Sequence, residues 1–303
     1  MVRLPANDLL LITKAVRLLN AGYSLGEASK ILGLTASKLS SLIWKHMRRG
    51  KIARHLVVPL NAFGVRLTVA ILSANQKVGE PCLKGHFRVI AKYYSYAKNL
   101  VEIYYLDEEA DVVEEAVNSS LCKLEFCDTV SRLLVPVYVS GEKPELVLTE
   151  AAKPDFCTPC SDVDAVIAVE LFRLFNPPIT PEVSKTKHLL ELVKQRTGLP
   201  NVRTHFYKHV YKCVKKRYAV RGDDFLLLHS YAPSESDFML LLNNLVEAGF
   251  IADLWQILLF SKTPFVAITH AWGYYELFTD PTRAHKKTSN IAYGVYNVLG
   301  VEY

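Results

Sequence analysis

Hydroxyl and cationic side chains alternate through the stretch ILGLTASKLSSLIWKHMRRGKI, which spans Ile31–Ile52. At about 100° per residue, a helix over this stretch gathers Leu39, Leu42, Ile43, His46 and Met47 on one face. The opposite face is formed by Ser37, Lys38, Ser41, Lys45 and Arg48. Such side chains suit contacts with phosphates and base edges, and no acidic residue occurs from position 31 to position 60. The pattern favours nucleic-acid recognition over its alternative, a solvated surface helix.

The residues before this stretch predict the elements that position it. Apolar residues at helical spacing indicate a first helix over residues 8–20. Ser24 and Glu27 have the spacing of a capping box that opens a second helix. Thr35 is suited to cap a third helix over residues 35–49. Three short helices joined by a tight turn predict a helix-turn-helix, with the third helix in the DNA major groove. Its predicted contact residues are Thr35, Ser37, Lys38, Ser41, Lys45, Arg48 and Arg49.

The net charge alternates along the chain. Residues 1–60 hold ten Lys and Arg against two Asp and Glu, and residues 161–221 hold twelve against five. Residues 61–160 and 222–303 are both acidic on balance. Two separated basic blocks indicate two modules that bind a polyanion.

Strand and helix patterns follow the first basic block. Residues 65–72 (VRLTVAIL) predict a buried strand, and residues 79–91 suit a helix. KYYSYA and LVEIYYL predict a hairpin around Lys98 and Asn99. An acidic helix over residues 107–122 and a final strand, SRLLVPVYV, complete a βαββαβ ferredoxin-like sandwich.

The second half of the chain repeats this order. Basic helical segments occupy residues 163–221, and the strand and helix patterns of residues 222–303 again fit βαββαβ. The third helix of this second helix-turn-helix is predicted at residues 201–216. Its candidate DNA contacts are Asn201, Arg203, Thr204, His205, Lys208, Lys212 and Lys215. Pro200 stands where a capping hydroxyl is expected, so whether this diverged module contacts DNA stays open.

The segment Leu32-Gly33-Leu34-Thr35, followed by Gly50 and Ile52, resembles the recognition segment of the leucine-responsive regulatory protein (Lrp/AsnC) family. One departure is that Leu42 and Ile43 stand where that family carries adjacent arginines. The resemblance implies a transcriptional regulator whose ferredoxin-like domain dimerises and binds a small, amino-acid-like effector. A single chain with both copies is then expected to form that dimer internally, and a further homodimer stays open.

These observations predict an α+β fold in which two helix-turn-helix domains alternate with two ferredoxin-like sandwiches. The expected domains are residues 1–60, 61–140, 161–221 and 222–303, with a linker at 141–160. No transmembrane segment or signal peptide is expected, so the chain is expected to be cytoplasmic. The lone Cys157-x-x-Cys160 in the linker has no second pair, and we expect no metal site.

We expect no catalysis and no cofactor, because the sequence holds no catalytic-triad order, phosphate-binding glycine loop or His-Glu-x-x-His motif. The expected partner is double-stranded DNA. Two alternatives remain. One is an enzyme resembling the siroheme decarboxylases, which share this architecture, although their Asn-Met-Trp-Phe signature is missing. The other is a helix-turn-helix module that binds a protein of the transcription machinery.

Overall fold

The structure is a computed structural model, and it describes residues 6–74, 91–95, 100–106, 122–139, 145–151, 160–175, 186–262, 264–279, 291–297 and 300–302. Helices and strands are mixed along the chain, so the predicted α+β class is confirmed. Within these ranges no helix has the length and apolar composition needed to cross a membrane.

Three helices form the first head, by which we mean residues 6–51: α1 (Ala6–Asn20), α2 (Leu25–Ile31) and α3 (Ala36–Arg48). The capping box is confirmed, because the Ser24 hydroxyl accepts the Glu27 amide and the Glu27 carboxylate accepts the Ser24 amide. The apolar faces of the three helices meet in a small core that Val220, from the second half of the chain, helps to close. The first head is therefore incomplete without the second half.

The second head, residues 160–214, consists of α4 (Asp162–Phe175), α5 (Thr186–Thr197) and a broken helix that we call α6. The segments of α6 are Val202–His205, Phe206–Val210 with π spacing, and Tyr211–Cys213. The prediction that this helix runs to residue 216 is wrong. Val214 is extended (φ −91°, ψ 140°), because the chain leaves the helix there to pair with a strand of the first half.

That pairing joins the two heads. Strand β1 (Ile52–Val57) follows the first head, β8 (Lys215–Val220) follows the second, and they form an antiparallel two-stranded ribbon. Ile52 lies opposite Val220, and Val57 lies opposite Lys215. An antiparallel pair of equivalent strands has a local twofold axis, so the ribbon relates the heads by pseudo-twofold symmetry.

The first sandwich contains β2 (Leu67–Ala74), β3 (Ala91–Ser95), β4 (Leu100–Leu106) and β5 (Cys122–Thr129). Its sheet has the order β13-β3-β4-β2-β5, where β13 (Gly300–Glu302) comes from the second half. The expectation that SRLLVPVYV is its last strand is wrong, because β5 takes that place. The strand β6 (Arg132–Val139) instead crosses to the other sheet.

The second sandwich contains β9 (Asp224–Ala232), α7 (Glu235–Glu247), β10 (Ile251–Lys262), β11 (Phe265–Gly273), α8 (Tyr275–Thr279) and β12 (Ala292–Asn297). Its sheet has the order β12-β9-β11-β10-β6-β7, with β7 (Glu145–Glu150) at the edge. Strands β6 and β13 are thus exchanged reciprocally. Each one leaves its own half and pairs beside the second strand of the other sandwich.

The exchange pairs β13 with β3 and β6 with β10, so that neither β3 nor β10 is left at a sheet edge, and it brings the sheets together. Val69 and Ile71 of β2 share one core with Phe225, Trp255 and other residues of the second sheet. The rings of Phe126 and Phe260 meet edge to face with their centroids 5.0 Å apart. The apolar face that one ferredoxin-like sheet leaves uncovered is therefore covered by the other half of the same chain.

Some predicted elements lie outside the described residues. These are the helix at 79–91 up to residue 90, the acidic helix at 107–122 up to residue 121, and the turn at Lys98 and Asn99. Of the helix predicted at about 273–288, the structure describes only α8 and the residues beside it.

We predict that Asn20→Ala loosens the first head. The Asn20 side-chain amide donates to the carbonyl oxygen of Tyr218 over 2.7 Å and accepts the Tyr218 amide over 2.9 Å. The variant leaves both backbone groups without these partners, which costs about 1–3 kcal/mol each where they stay buried. Amide hydrogen exchange should therefore accelerate in α1 and α3. The matched variant Asn244→Ala removes an exposed amide on α7 and should leave exchange in α1 and α3 unchanged; equal exchange in the two variants contradicts the prediction.

Candidate nucleic-acid interface

Helix α3 presents a polar, cationic face to solvent. Thr35 is confirmed as its cap, since the Thr35 hydroxyl accepts the Lys38 amide over 3.2 Å. Leu39, Ile43 and His46 are buried against the rest of the first head. All the residues predicted to contact DNA on this head are exposed: Thr35, Ser37, Lys38, Ser41, Lys45, Arg48 and Arg49. Because its hydroxyl is used in capping, Thr35 positions the helix, and the other residues offer free donors.

Electrostatics reinforce this face. Helix α3 contains no Asp or Glu, and its last turn exposes Lys45 and Arg48. Arg49 follows as the residue that ends the helix. An uninterrupted positive surface attracts a polyanion at long range and holds phosphates at short range.

Trp44 is a residue of this face that the sequence reasoning missed. Its exposed fraction is 43%, whereas Trp255 and Trp272 are 1% and 3% exposed. The signal was present in the sequence, because Trp44 lies three residues after Ser41 and seven after Ser37, which are helical spacings on one face. The face therefore combines hydroxyls and cations with one large aromatic ring that can contact a thymine methyl group or a sugar.

The second half of the chain fixes the orientation of the first head. Besides the Asn20 contacts, the guanidinium of Arg17 lies 4.1 Å from the ring centroid of Tyr138 on β6. The Arg221 amide donates to the Lys51 carbonyl over 3.0 Å. These contacts join α1 and the start of β1 to two strands from outside the head, so α3 is held at a fixed angle to the sheets.

On the second head, only some of the residues predicted to contact DNA lie together on an exposed face. Asn201, Arg203, Thr204, Lys208 and Lys212 are exposed on the outer side of α6. These five residues form a second, smaller cationic face.

Two other residues predicted to contact DNA on the second head, His205 and Lys215, instead bind groups within the protein. The Nδ1 atom of His205 lies 2.9 Å from Oδ1 of Asp164, whose side chain is 1% exposed. Burial acts to raise the pKa of Asp164, but hydrogen bonds from Ser161 and His205 outweigh it and leave that pKa lowered. Lys215 belongs to β8, and its Nζ donates to the Glu150 carbonyl. Both contacts hold the head in place and draw these side chains away from the α6 face.

A buried polar and aromatic cluster lies where the ribbon meets the second sheet. His55 of β1 is fully buried, its ring centroid is 5.1 Å from that of Trp255, and neither ring nitrogen has a hydrogen-bond partner. His270 is equally buried and pairs through Nδ1 with the Gln256 amide at 2.9 Å. His55 also borders a small cleft of about 10 Å³ whose other lining residues are Arg54, Leu56, Phe175, Thr186, Leu189, Phe206 and Lys216.

Burial and neighbouring charges shift the pKa values of the ionisable groups in and beside this cluster. Burial, together with the smaller effects of the cations Arg217 and Arg221, lowers the pKa of His55 to about 3. Burial lowers the pKa of Arg217 to about 10 and raises that of Asp253 to about 6, while each of these two charges partly offsets the shift of the other. His55 is therefore neutral at physiological pH.

Two cysteines of the described residues make contacts near the second head. The Sγ atom of Cys160 donates to the Ala62 carbonyl over 3.8 Å, and Cys213 at the end of α6 is disulfide-bonded. Cys157 lies outside the described residues.

No family model and no curated protein matches this chain. Among solved structures, it is similar to a crystal structure of the siroheme decarboxylase NirDL, with 14% sequence identity and a TM-score of 0.37 over 97% of this chain and 92% of that one. A second NirDL structure, in complex with an iron-uroporphyrin III analogue, gives 14% identity and a TM-score of 0.35 over 97% and 91% of the two chains.

These matches correct one expectation. The prediction that the chain is not an enzyme is contradicted, because both solved structures are those of a decarboxylase. At this identity and TM-score the likeness carries no argument about the site residues of this chain.

We predict that His55 makes the folded protein sensitive to mild acid. An unfolded histidine titrates near its ordinary pKa of about 6.5, so below that pH the unfolded state binds a proton that folded His55 does not bind. The contribution of neutral His55 to the free energy of unfolding is therefore fully present above pH 6.5. It decreases as the pH falls, by about 2 kcal/mol between pH 7 and pH 5. In urea unfolding at both pH values, His55→Phe should reduce the loss by that amount.

Phe keeps the ring contact with Trp255 and carries no titrating proton. The control His188→Gln changes an exposed imidazole on α5 and should behave like the wild type. If His55→Phe loses as much stability as the wild type between pH 7 and pH 5, His55 is not held neutral in the folded state.

Proposed function

We propose that this chain binds double-stranded DNA through α3 and acts as a transcriptional regulator. One observation carries the proposal: Ser37, Lys38, Ser41, Lys45 and Arg48 are all exposed on one face of a capped helix that has no acidic residue. Hydroxyls and cations on a rigid helix can reach phosphates and base edges together, as major-groove recognition requires.

The arrangement of the two heads supports an asymmetric version of this function. The ribbon relates the heads by pseudo-twofold symmetry, as in a protein that binds two half-sites. Yet in the second head His205 is bound to Asp164 and Lys215 is directed to Glu150. We propose that α3 supplies the sequence-specific contacts, while Arg203 and Thr204 at the start of α6 make weaker, phosphate-type contacts. An amino-acid-like effector remains a proposal that rests on the family resemblance.

The proposal predicts that Lys38→Glu/Lys45→Glu weakens duplex binding at least about tenfold. Each lost phosphate contact should also reduce the slope of log affinity against log salt by about 0.9. Fluorescence anisotropy of a labelled duplex over a range of salt concentrations measures both quantities.

Emission of Trp44 gives an independent signal, because the other two tryptophans of the chain are buried. Trp44→Phe should abolish the change in emission on adding DNA.

The matched control is Lys14→Glu/Lys262→Glu, which makes the same change in net charge at two exposed lysines away from α3. This control should retain most of the affinity. Equal losses in the two double variants mean that binding follows net charge alone. Unchanged binding in Lys38→Glu/Lys45→Glu removes α3 from the interface.

We propose a second candidate function, an enzyme of the siroheme decarboxylase type, on a different observation. His55 is a buried imidazole without a hydrogen-bond partner, and it borders a cleft with Arg54 and Lys216 in its lining. A neutral imidazole has a ring nitrogen that can accept a hydrogen bond or a proton from a bound substrate, and cations suit substrate carboxylates. The enclosed volume of this cleft is about 10 Å³, far below the roughly 300–1,000 Å³ typical of small-molecule sites, so a tetrapyrrole fits here only if the lining side chains move.

The second candidate predicts that siroheme changes its absorption spectrum on addition of the protein and loses carbon dioxide. His55→Gln should then abolish turnover while Lys38→Glu/Lys45→Glu should not. An unchanged spectrum with no decarboxylated product, under conditions in which duplex DNA binds, rejects this candidate and leaves the first.

A further inference from the structure

The outer side of α6 carries two exposed tyrosines that no expectation for DNA contact included. Tyr207 is 46% exposed and Tyr211 is 37% exposed. Their ring centroids are 6.0 Å apart, with an angle of 50° between the ring planes. Large aromatic side chains are seldom left exposed in pairs on a helix without a ligand or partner to cover them.

Local packing holds both rings in place. Phe206 is fully buried beneath them, with its centroid 5.2 Å from that of Tyr207 and 5.6 Å from that of Tyr211. The residues from Phe206 to Val210 have π spacing, a feature that occurs frequently at functional sites. The rings therefore rest on a buried aromatic base and keep the rest of their surface open to solvent.

Cations surround the pair. Lys208 and Lys212, which directly follow the two tyrosines, are exposed. The Nζ atom of Lys216 donates to the Tyr211 hydroxyl over 2.6 Å and lies 4.6 Å from the Tyr211 ring centroid. The sequence contains no Asp or Glu between Gly198 and Gly222. The surface thus offers aromatic faces beside positive charges and has no acidic residue of its own helix to repel a polyanion.

We propose that this face, formed by Tyr207, Lys208, Tyr211, Lys212 and Lys216, binds single-stranded nucleic acid. Bases of an unpaired strand stack on aromatic rings, and lysines follow the backbone phosphates. A duplex fits the face less well, because its base faces are covered by their stacked neighbours and only base edges are offered in the grooves. The two rings take neighbouring bases of one strand. This proposal does not depend on duplex binding by α3.

The two proposals together divide nucleic-acid binding between the two heads. The α3 face takes paired DNA, and the α6 face takes an unpaired strand. A chain with both activities is suited to sites where a duplex is partly opened.

The test is the binding of a labelled oligothymidylate of about 12 nucleotides, which lies within the usual site size, by fluorescence anisotropy. Tyr207→Ala/Tyr211→Ala should weaken binding roughly 10- to 100-fold, since stacking contributes about 1–3 kcal/mol per base. Tyr207→Phe/Tyr211→Phe keeps the ring faces and should retain most of the affinity. Tyr231→Ala removes a tyrosine that is 51% exposed on β9 and should have no effect.

Charge is tested separately with Lys208→Glu/Lys212→Glu. For single strands each lost phosphate contact should reduce the salt slope by about 0.7. An oligouridylate of the same length distinguishes the two sugars, because a preference for RNA requires a contact to the 2′-hydroxyl.

The duplex assay separates this proposal from that for α3. Tyr207→Ala/Tyr211→Ala should leave duplex binding and the Trp44 signal unchanged, and Lys38→Glu/Lys45→Glu should leave single-strand binding unchanged. Equal losses for duplex and single strand in the tyrosine variant overturn the proposal and make α6 a second duplex-binding helix. If the tyrosine variant binds the single strand like the wild type, with its thermal unfolding also unchanged, stacking on this face is rejected.

Discussion

The antiparallel ribbon of Ile52–Val57 and Lys215–Val220 is the interaction on which the rest of the structure depends. Each strand ends one helical head and leads into one sandwich, so the pairing fixes both heads relative to both sheets. Val220 closes the core of the first head, and Tyr218 supplies the backbone groups that bind Asn20. The ribbon is short, yet both α3 and α6 take their orientation from it.

The ribbon is held by buried charge as well as by backbone hydrogen bonds. Arg217 lies opposite His55 and donates to the Pro136 carbonyl and, over 3.4 Å, to the Leu254 carbonyl. Asp253 accepts the Val220 amide over 2.9 Å. Buried ions are expensive unless they are hydrogen-bonded and compensated. Here the buried charges select one register of the ribbon, because only that register places Arg217 and Asp253 beside these partners.

The sequence predicted those parts of the molecule that neighbouring residues determine. The capping box at Ser24, the cap at Thr35 and the exposed face of α3 all follow from spacings within about one helical turn. The end of α6 at Cys213 did not follow, because pairing with β1 overrides the helical pattern of residues 214–216. The contact between His205 and Asp164 spans 41 positions and has no local signal.

The sequence also did not predict which sheets β5 and β6 join. The pattern of SRLLVPVYV predicts a strand correctly, but a strand pattern does not identify the sheet that the strand joins. Only Val130 and Ser131 separate β5 from β6, and the Ser131 hydroxyl and amide both donate to the Leu259 carbonyl of the second half. That long-range contact directs the chain across to the other sheet.

The reciprocal exchange of β6 and β13 has a consequence for how the two halves can differ. In a dimer of identical chains, every substitution in a head appears twice, and both heads change together. Here each half is completed by a strand of the same chain, so a substitution in one head leaves the other unaltered. The exposed tyrosines of α6 and the exposed serines of α3 are differences of this kind between two corresponding helices of one chain.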